Sequence, residues 1–373
     1  MTDFKYLIAG GGMAADAALR GIRELDADSS VGILGLEADP PYTRPMLSKG
    51  LWKGKPLEKV WRGTEKLNPE MILGRAAVKL DPQKKVVADA AGDQYGYQKL
   101  LIATGGTPNR LPFGETEIIY FRTLQDYHRL RALADERERF LVIGGSFIGS
   151  ELAAALSMVG RRATLLFRGP AIAHGIFPAE LAQHLNAYYG EKGVEVVPGD
   201  EPVSVERAGG GYLVRTKGGR TFEVDAVVAG IGIRPNVDLA KSAGLTVEEG
   251  IPVNEMLQTS VPDVFAAGDV AAFQHAALGV RTRVEHEDNA LHMGKLAGRN
   301  MAGADERYTH TPMFYSDLFD LGYEAVGDLN SKLETFVDWQ EPFKQGVLYY
   351  LENGRVRGVL LWNVWKKLAE IVP

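Results

Sequence analysis

The chain contains 373 residues, more than one typical core organises, so we expect two or three domains. Its net charge is −6 and it has no dense basic run, which argues against a nucleic-acid partner. It has no cysteine, which excludes disulfides, thiolate catalysis, iron–sulfur ligation and cysteine-based metal sites and fits a reducing cytosol. No leader peptide precedes the first strand and no apolar run could span a bilayer, so we expect a cytoplasmic protein without a membrane span.

The N-terminal residues read as a strand, a glycine turn, a helix and a second strand. Residues 6–9 are apolar, the turn Gly10-x-Gly12-x-x-Ala15 follows, and apolar residues then recur at helical spacing. In this context the glycines permit a tight turn and let a pyrophosphate approach the backbone at a helix N-terminus. Glu37 follows the second strand, where an acid would bind a ribose hydroxyl. The pattern predicts a dinucleotide-binding unit.

A proline-rich loop then carries Arg44 and Lys49. A rigid loop that aims two cations suits a phosphate or an electron-rich ring, and a solvated basic loop is the simpler alternative. Residues 71–100 read as a small antiparallel excursion. Residues 99–103 then predict a separate apolar strand, which stops at glycines and a proline near the first turn.

The opening pattern repeats after a helix predicted over residues 124–138. Gly144-x-Ser146-x-x-Gly149 again follows an apolar strand and opens a helix, and two such units indicate two different nucleotides. Ser146 replaces the middle glycine, and its side chain would crowd a pyrophosphate. Arg168 stands where an acid is expected after the next strand. An arginine there favours NADPH over NADH, and a plain surface arginine is the alternative.

Residues 194–232 alternate apolar and polar side chains, with glycine-rich hairpin turns at 209–211 and 218–219. Asp269 follows a short strand, where its carboxylate could accept hydrogen bonds from a polyol chain or cap a helix.

The pattern changes again from about Tyr308. Five strands, with hairpin turns at 328–330 and 352–354, and a terminal helix predict a small α+β module.

Several longer motifs carry a family resemblance: Pro41-Tyr-x-Arg44-Pro-x-Leu-Ser-Lys49-x-Leu-Trp52, Ala103-Thr-Gly105, Ala267-Gly-Asp269, Glu285-His286-x-Asp288, Pro312-Met-Phe-Tyr-Ser-Asp317, Gly322-Tyr-Glu-Ala-Val-Gly327 and Val359-Leu-Leu-Trp-Asn363. With the two glycine turns, they make nearly the whole chain resemble the FAD-dependent pyridine nucleotide oxidoreductases of the apoptosis-inducing-factor-like and ferredoxin-reductase-like group. The late motif resembles the apoptosis-inducing-factor branch more closely.

The resemblance implies an α/β fold with two Rossmann-like (glutathione-reductase-type) nucleotide-binding domains and a small α+β C-terminal domain. It implies a discontinuous FAD-binding domain over residues 1–112 and 230–306. The NAD(P)H-binding domain would span 113–229 and the C-terminal domain 307–373.

The resemblance also assigns cofactor contacts. Those expected for FAD are Gly10, Gly12, Met13 and Ala14 around the pyrophosphate turn, Glu37 at the adenosine ribose, Arg44 at the phosphates, Ala77, Thr104 and Gly105 beside the cofactor, Asp269 at the ribityl chain, and Lys49, His286 and Tyr315 near the isoalloxazine ring. Those expected for the nicotinamide nucleotide are Gly144, Ser146, Phe147, Ile148, Arg168 and Gly232. Two departures are Asn109-Arg110, where an arginine usually comes first, and Tyr315, where this branch often has tryptophan.

The expected activity is hydride transfer from NADH or NADPH to flavin and electron transfer onward to an iron–sulfur protein, a quinone or oxygen. The catalytic candidates are Lys49, which would stabilise negative charge on the reduced ring, and Glu151, which would pair with Lys49. Disulfide reduction is excluded because the chain has no cysteine. The alternative is a slow-turnover nucleotide-sensing flavoprotein that acts through redox-dependent changes of partner or oligomer. The oligomeric state is open, with a homodimer among the alternatives.

Overall fold

The computed structural model describes residues 1–371. Its helices are α1 (Met13–Arg23), α2 (Leu124–Glu136), α3 (Phe147–Met158), α4 (Ala179–Glu191), α5 (Asp238–Ser242), α6 (Glu287–Met301) and α7 (Leu368–Ile371). Its strands are β1 (Thr2–Ala9), β2 (Val31–Gly35), β3 (Glu70–Leu73), β4 (Ala77–Asp81), β5 (Val86–Asp89), β6 (Gln94–Ile102), β7 (Gly106–Pro108), β8 (Ile118–Tyr120), β9 (Arg139–Ile143), β10 (Arg162–Phe167), β11 (Val194–Pro198), β12 (Pro202–Ala208), β13 (Gly211–Thr216), β14 (Thr221–Val224), β15 (Ala226–Ala229), β16 (Ile233–Pro235), β17 (Ile251–Pro252), β18 (Val264–Ala266), β19 (Ala271–His275), β20 (Val280–Thr282), β21 (Met313–Leu318), β22 (Leu321–Gly327), β23 (Glu334–Glu341), β24 (Gln345–Glu352) and β25 (Arg355–Trp362). No helix in this part of the chain is long and apolar enough to cross a membrane.

The chain divides into two compact units. The first unit comprises Met1–Arg44, Glu58–Thr107 and Arg234–Met313. The second unit comprises Pro45–Leu57, Pro108–Ile233 and Phe314–Pro373. The domain boundaries expected from the sequence stay a prediction.

The main sheet of the first unit has the strand order β3-β2-β1-β6-β5-β4, and β18 also pairs with β6. The central strand β1 pairs in parallel with β2 and β6, and its residues 6–9 are buried. Burial on both faces explains why these residues form a continuous apolar run. The strand β3 pairs in parallel with β2, so it belongs to the main sheet and not to an antiparallel excursion.

The prediction of a separate strand over residues 99–103 is wrong, because β6 runs without interruption from Gln94 to Ile102. Along one side it pairs with β1 from Tyr95 to Ile102. On its other side the N-terminal part pairs with β5 in antiparallel orientation, and the C-terminal part pairs with β18 in parallel. The N-terminal and C-terminal parts of β6 therefore have different neighbours on this side, and this explains why the sequence pattern suggests two strands.

Helices α1 and α6 pack through small residues. A Cβ atom added to Gly294 would lie 2.4 Å from the carbonyl oxygen of Ala14, and one added to Gly298 would lie 2.0 Å from that of Ala18. The two backbones therefore touch where any side chain would force them apart. This close packing fixes the position of the N-terminus of α1.

In the second unit, β9, α3 and β10 repeat the strand–turn–helix–strand order. The parallel sheet has the order β11-β10-β9-β15-β8, and β12, β13 and β14 form a separate antiparallel sheet. The hairpin turns predicted at 209–211 and 218–219 are confirmed, because they join the strands of that antiparallel sheet.

The C-terminal five-stranded sheet has the order β21-β22-β25-β24-β23. The hairpin predicted at 352–354 is confirmed, since it joins β24 to β25. The hairpin predicted at 328–330 is wrong, because β22 pairs with β25 while β23 pairs with β24. The last five residues of β25 are apolar and buried. This burial fits a central strand, and β25 lies between β22 and β24 instead of at an edge of the sheet.

Candidate functional site

The first glycine turn closes tightly against β6 and leaves open space at the start of α1. Gly10 has φ +136°, and a Cβ atom there would lie 2.1 Å from the carbonyl oxygen of Ala103. Gly12 is the residue before the first helical residue Met13, and a Cβ atom on it would meet nothing within 4 Å. The free N–H groups of the helix N-terminus therefore lie beside unfilled space, which is what an anionic pyrophosphate requires.

Ala14 and Asp269 lie at the same end of the first unit. A Cβ atom added to Gly268, which has φ +76°, would lie 3.1 Å from that of Ala14. Asp269 belongs to a short 3-10 helix over Gly268–Val270, and its carbonyl oxygen accepts a hydrogen bond of 3.0 Å from Arg283. The fold therefore brings the Gly268–Asp269 segment close to the first glycine turn, while the predicted cofactor contact of Asp269 stays a prediction.

Glu37, Tyr42 and Arg44 form a closed polar network in the first unit. Arg44 donates to Glu37 Oε1 at 2.8 Å and to the Tyr42 hydroxyl at 2.8 Å, and Tyr42 donates to Glu37 Oε2 at 2.5 Å. Burial opposes the Arg44 charge, but Tyr42, Glu37 and Asp269 hold the pKa of Arg44 above its usual value. Arg44, the cation predicted to lie beside a phosphate, is therefore held in place by Glu37, the acid predicted to bind a ribose.

Thr104 and Gly105 are held by Asn236. The Asn236 amide donates to Thr104 O at 2.9 Å, Thr104 Oγ1 donates to Asn236 O at 2.7 Å, and the Asn236 N–H donates to Gly105 O at 2.9 Å. Gly105 has φ +65°, which favours glycine. Ala77, another predicted FAD contact, lies at the start of the edge strand β4, opposite Asp89 of β5. His286 is the N-cap residue of α6.

In the second unit, Lys49 and Glu151 form a buried ion pair. Lys49 Nζ lies 2.7 Å from Glu151 Oε1, and the two side chains are 12% and 2% exposed. Ser48 donates to Glu151 Oε2 at 2.6 Å, and Ser316 donates to Oε1 at 2.5 Å. The carboxylate, which α3 carries, thus has three donors that fix its orientation. The predicted pairing of Lys49 with Glu151 is confirmed, while their catalytic roles stay a prediction.

Aromatic side chains of the second unit include one beside this ion pair. Lys49 Nζ lies 5.3 Å from the centre of the Tyr315 ring, a cation–π distance. Phe147, the first residue of α3, packs edge-on against Phe314 at 5.7 Å. Burial and the negative charge of Glu151 hold the pKa of Tyr323 well above its usual value, so its hydroxyl stays neutral. Lys49 is therefore a charge held between a carboxylate and an aromatic ring.

The second glycine turn is as tight as the first. Gly144 has φ +117°, and a Cβ atom there would lie 2.3 Å from the carbonyl oxygen of Gly230. A Cβ atom on Gly149 would lie 1.8 Å from the carbonyl oxygen of Gly144. Ser146 is exposed at the N-cap position of α3 and makes no capping hydrogen bond, and Ile148 follows in the first turn. A helix N-terminus of this kind attracts an anion.

Arg168 lies just beyond β10 with its side chain 78% exposed. Its guanidinium lies 3.4 Å from Glu201, which also pairs with Lys217 at 3.1 Å. Arg168 occupies the position where a dinucleotide-binding unit usually has an acidic residue. Glu201, from a different segment, provides an acidic side chain beside it. Gly232 has φ +84°, and its carbonyl oxygen accepts from the Asn109 backbone N–H at 2.9 Å.

Five residues of these clusters have no role predicted from the sequence: Tyr42, Ser48, Ser316, Asn236 and Glu201. The first three had a local signal, since each lies beside a candidate residue within one of the family motifs. Asn236 and Glu201 are brought in by long-range folding and had no comparable signal.

The chain matches the protein-family model described as pyridine nucleotide-disulphide oxidoreductase over residues 4–294. It also matches the model described as the mitochondrion-associated C-terminal region of apoptosis-inducing factor over residues 297–342. The chain therefore belongs to the pyridine nucleotide-disulphide oxidoreductase family.

Named relatives define the group within this family. Apoptosis-inducing factor 1, mitochondrial, of Dictyostelium discoideum is 34% identical over 410 residues, covering 98% of this chain and 77% of that protein. Monodehydroascorbate reductase 3 of Arabidopsis thaliana is 33% identical over 394 residues, covering 96% of this chain and 89% of that protein. A chain from the crystal structure of the covalent putidaredoxin reductase–putidaredoxin complex matches with a TM-score of 0.93 and 27% identity, covering 100% of this chain and 92% of that one.

These matches confirm the predicted family and fold class. The chain is a flavoprotein reductase, an FAD-dependent pyridine nucleotide oxidoreductase of the apoptosis-inducing-factor-like and ferredoxin-reductase-like group. Its sheets form two Rossmann-like α/β arrangements and a C-terminal α+β domain.

Proposed function

We propose that the protein oxidises NADPH, or less efficiently NADH, and delivers the electrons to a small iron–sulfur protein, without redox cysteines. The observation that carries this proposal is the buried Lys49–Glu151 pair, 2.7 Å apart and fixed by two serine hydroxyls. The covalent complex with putidaredoxin named for one structural relative supports the choice of acceptor.

FAD binding is proposed for a discontinuous domain over residues 1–112 and 230–306. The open space at Gly12 beside the α1 N-terminus fits a pyrophosphate, and the Glu37–Arg44 pair offers an acid to a ribose and a cation to a phosphate. Further contacts are proposed for Gly10, Met13, Ala14, Ala77, Thr104, Gly105, Asp269, His286 and Tyr315. When bound, FAD supplies the chemistry that accepts a hydride and releases electrons to an acceptor.

Lys49 is proposed to supply a fixed positive charge where negative charge develops. Glu151 orients that charge, and Ser48 and Ser316 orient Glu151 in turn. Lys49 contacts the reacting groups in this proposal, while Glu151 acts through Lys49. Because these side chains are buried and already hydrogen-bonded, little reorganisation accompanies the reaction.

Nicotinamide nucleotide binding is proposed for residues 113–229 of the second unit. Gly144, Ser146 and Ile148 surround the α3 N-terminus, which suits the pyrophosphate, and Phe147 and Gly232 are further proposed contacts. Arg168 is exposed after β10, so a 2′-phosphate could reach it, and this supports NADPH.

The decisive measurement is anaerobic stopped-flow reduction of the bound flavin with NADPH and NADH in parallel. We expect fast bleaching by NADPH, and a rate about 10²-fold lower in Lys49→Met with unchanged FAD content. Lys53→Met is the matched control, since Lys53 is 37% exposed and pairs with the partly exposed carboxylate of Asp317. Normal reduction by Lys49→Met would overturn the role of Lys49.

The acceptor is tested by reoxidation of the reduced protein. A small iron–sulfur protein is expected to reoxidise it faster than a quinone, oxygen or the monodehydroascorbate radical, the last suggested by the name of the Arabidopsis relative. Faster reoxidation by any of the other three would reassign the acceptor.

A second candidate function is nucleotide sensing with slow turnover. It is favoured by the match of residues 297–342 to the apoptosis-inducing factor model and by the Dictyostelium relative. Slow bleaching, a long-lived charge-transfer band and a redox-dependent change of oligomer size on gel filtration would support it over the reductase. A monomer–dimer change is the simplest such outcome.

A cytoplasmic location is proposed because the sequence contains no cysteine that an oxidising compartment would pair. Cell fractionation tests it.

A further inference from the structure

Two histidines and an aspartate, none of them assigned a role above, converge in the first unit. Asp288 lies in the first turn of α6, His292 lies one turn later, and His310 lies in the segment before β21. His292 Nδ1 lies 3.1 Å from Asp288 Oδ1, and His310 Nε2 lies 2.5 Å from Asp288 Oδ2. Within residues 1–371 no other group of three histidine or acidic side chains converges in this way.

The three side chains are positioned by structure around them. Residues four apart on a helix share one face, which explains the meeting of Asp288 and His292. The segment that carries His310 is tied to α6 by the Tyr308 hydroxyl, which donates to Asn289 at 2.7 Å, and by the Met313 N–H, which donates to Asp288 Oδ2 at 3.1 Å.

The donor set has the chemistry of a divalent transition-metal site. Two imidazoles and one carboxylate, with a fourth position left to water, suit Zn²⁺. One potential ligand atom from each residue lies within 4.8 Å of the others, and donors that share one tetrahedral zinc are about 3.3 Å apart. The His292 and His310 rings are stacked with their centres 3.8 Å apart, so coordination requires the half-exposed His292 ring to rotate until one of its nitrogens faces the shared ion.

Access from solvent also fits a metal. The side chains of Asp288, His292 and His310 are 16%, 53% and 29% exposed, so an ion and its water can enter from solvent. The hydrogen bond from Met313 is an outer partner of the kind that orients ligating carboxylates.

We propose that Asp288, His292 and His310 bind one Zn²⁺ ion, which fastens the start of α6 to the segment before β21. The ion has a structural role and would bind whichever electron acceptor or nucleotide the protein uses.

The test uses the untagged, FAD-loaded full chain. Equilibrium dialysis against buffered Zn²⁺ is expected to give one zinc per chain, with affinity at least tenfold weaker in His292→Gln and in His310→Gln. His128→Gln is the matched control, because His128 is an exposed histidine on α2 outside the cluster. X-ray absorption at the zinc edge is expected to show two imidazoles and oxygen ligands in the wild type, and Zn²⁺ is expected to raise the Tm of the wild type and His128→Gln only.

Equal zinc affinity in all four proteins, absence of stoichiometric uptake, or loss in only one cluster variant would overturn the proposal. If His310→Gln does not fold, His292→Gln decides alone, since that side chain is half-exposed. FAD content is measured in every variant, so failure of FAD binding is recognised separately from failure of zinc binding.

Discussion

Removal of one charge from the Lys49–Glu151 pair should destabilise the second unit strongly. The two side chains are 12% and 2% exposed and their charged atoms are 2.7 Å apart, so the partner left behind would be a buried, unpaired charge. Losing one partner of such a pair costs about 3–5 kcal/mol. Lys49→Met leaves Glu151 with hydrogen bonds from Ser48 and Ser316, so we expect the lower end, about 3 kcal/mol.

A double-mutant cycle separates this charge effect from lost packing. Glu151→Gln should cost about as much as Lys49→Met, but the double variant buries no charge and should recover at least ~2 kcal/mol of the summed losses. Urea unfolding followed by tryptophan fluorescence suits the measurement, because the second unit holds Trp52, Trp339, Trp362 and Trp365 of the five tryptophans.

The control and the refuting result are both defined by the structure. Lys53→Met removes an exposed ion pair of the same unit and should cost less than about 1 kcal/mol. If the losses from Lys49→Met and Glu151→Gln simply add to within ~0.5 kcal/mol, the two charges do not interact and the proposed positioning of Lys49 by Glu151 fails.

Three further predictions concern other parts of the molecule. Gly10→Ala should abolish FAD retention and destabilise the first unit, because its Cβ would lie 2.1 Å from a carbonyl oxygen. Gly12→Ala meets open space, so it should weaken FAD binding while changing the Tm of the FAD-free protein little. Equal thermal destabilisation of both FAD-free variants would contradict the proposed pyrophosphate site. Burial opposes the ionisation of Asp16, but hydrogen bonds from two arginines and a threonine lower its pKa. Its stabilisation relative to Asp16→Asn should therefore be complete above about pH 4 and should diminish as the pH falls through the lowered folded-state pKa, in denaturation measured from pH 7 to pH 2; a difference independent of pH would refute it. Arg168→Ala should reduce kcat/KM for NADPH relative to NADH about tenfold, and Glu201→Gln should change that ratio in the opposite direction; an unchanged ratio in both would remove the case for a 2′-phosphate contact.

The parts of the fold that sequence could predict are those with a local cause. Gly10 and Gly144 each stand between an apolar strand and a helix, and the positive φ at both positions explains why glycine is there. The turn at 352–354 was equally local, since it joins consecutive strands that pair with each other.

The parts that sequence could not predict depend on contacts between distant segments. Ser316 donates to Glu151 from 165 residues away, and although each residue lies in or beside a predicted motif, the sequence does not show that the two motifs meet. Asp16 lies on a helix whose pattern suggests an exposed acid, yet it is fully buried because Arg62 and Thr64 hydrogen-bond to it. The hairpin predicted at 328–330 is wrong because β22 pairs with β25, the last strand of the sheet along the chain, and not with β23, the next one.

The packing of α1 against α6 has a consequence for synthesis of the chain. These helices touch backbone to backbone, yet residues 24–286 separate them in sequence. At about 5–20 residues per second, α1 leaves the ribosome tens of seconds before its packing partner exists. During that interval, β9, α3 and β10 are already available to fold, while the glycine turn at Gly10 precedes a helix with no partner. The nucleotide site that comes first in the gene is therefore the one completed last, and a ribosome-stalled chain ending near residue 280 should be digested by protease at α1 sooner than at α3.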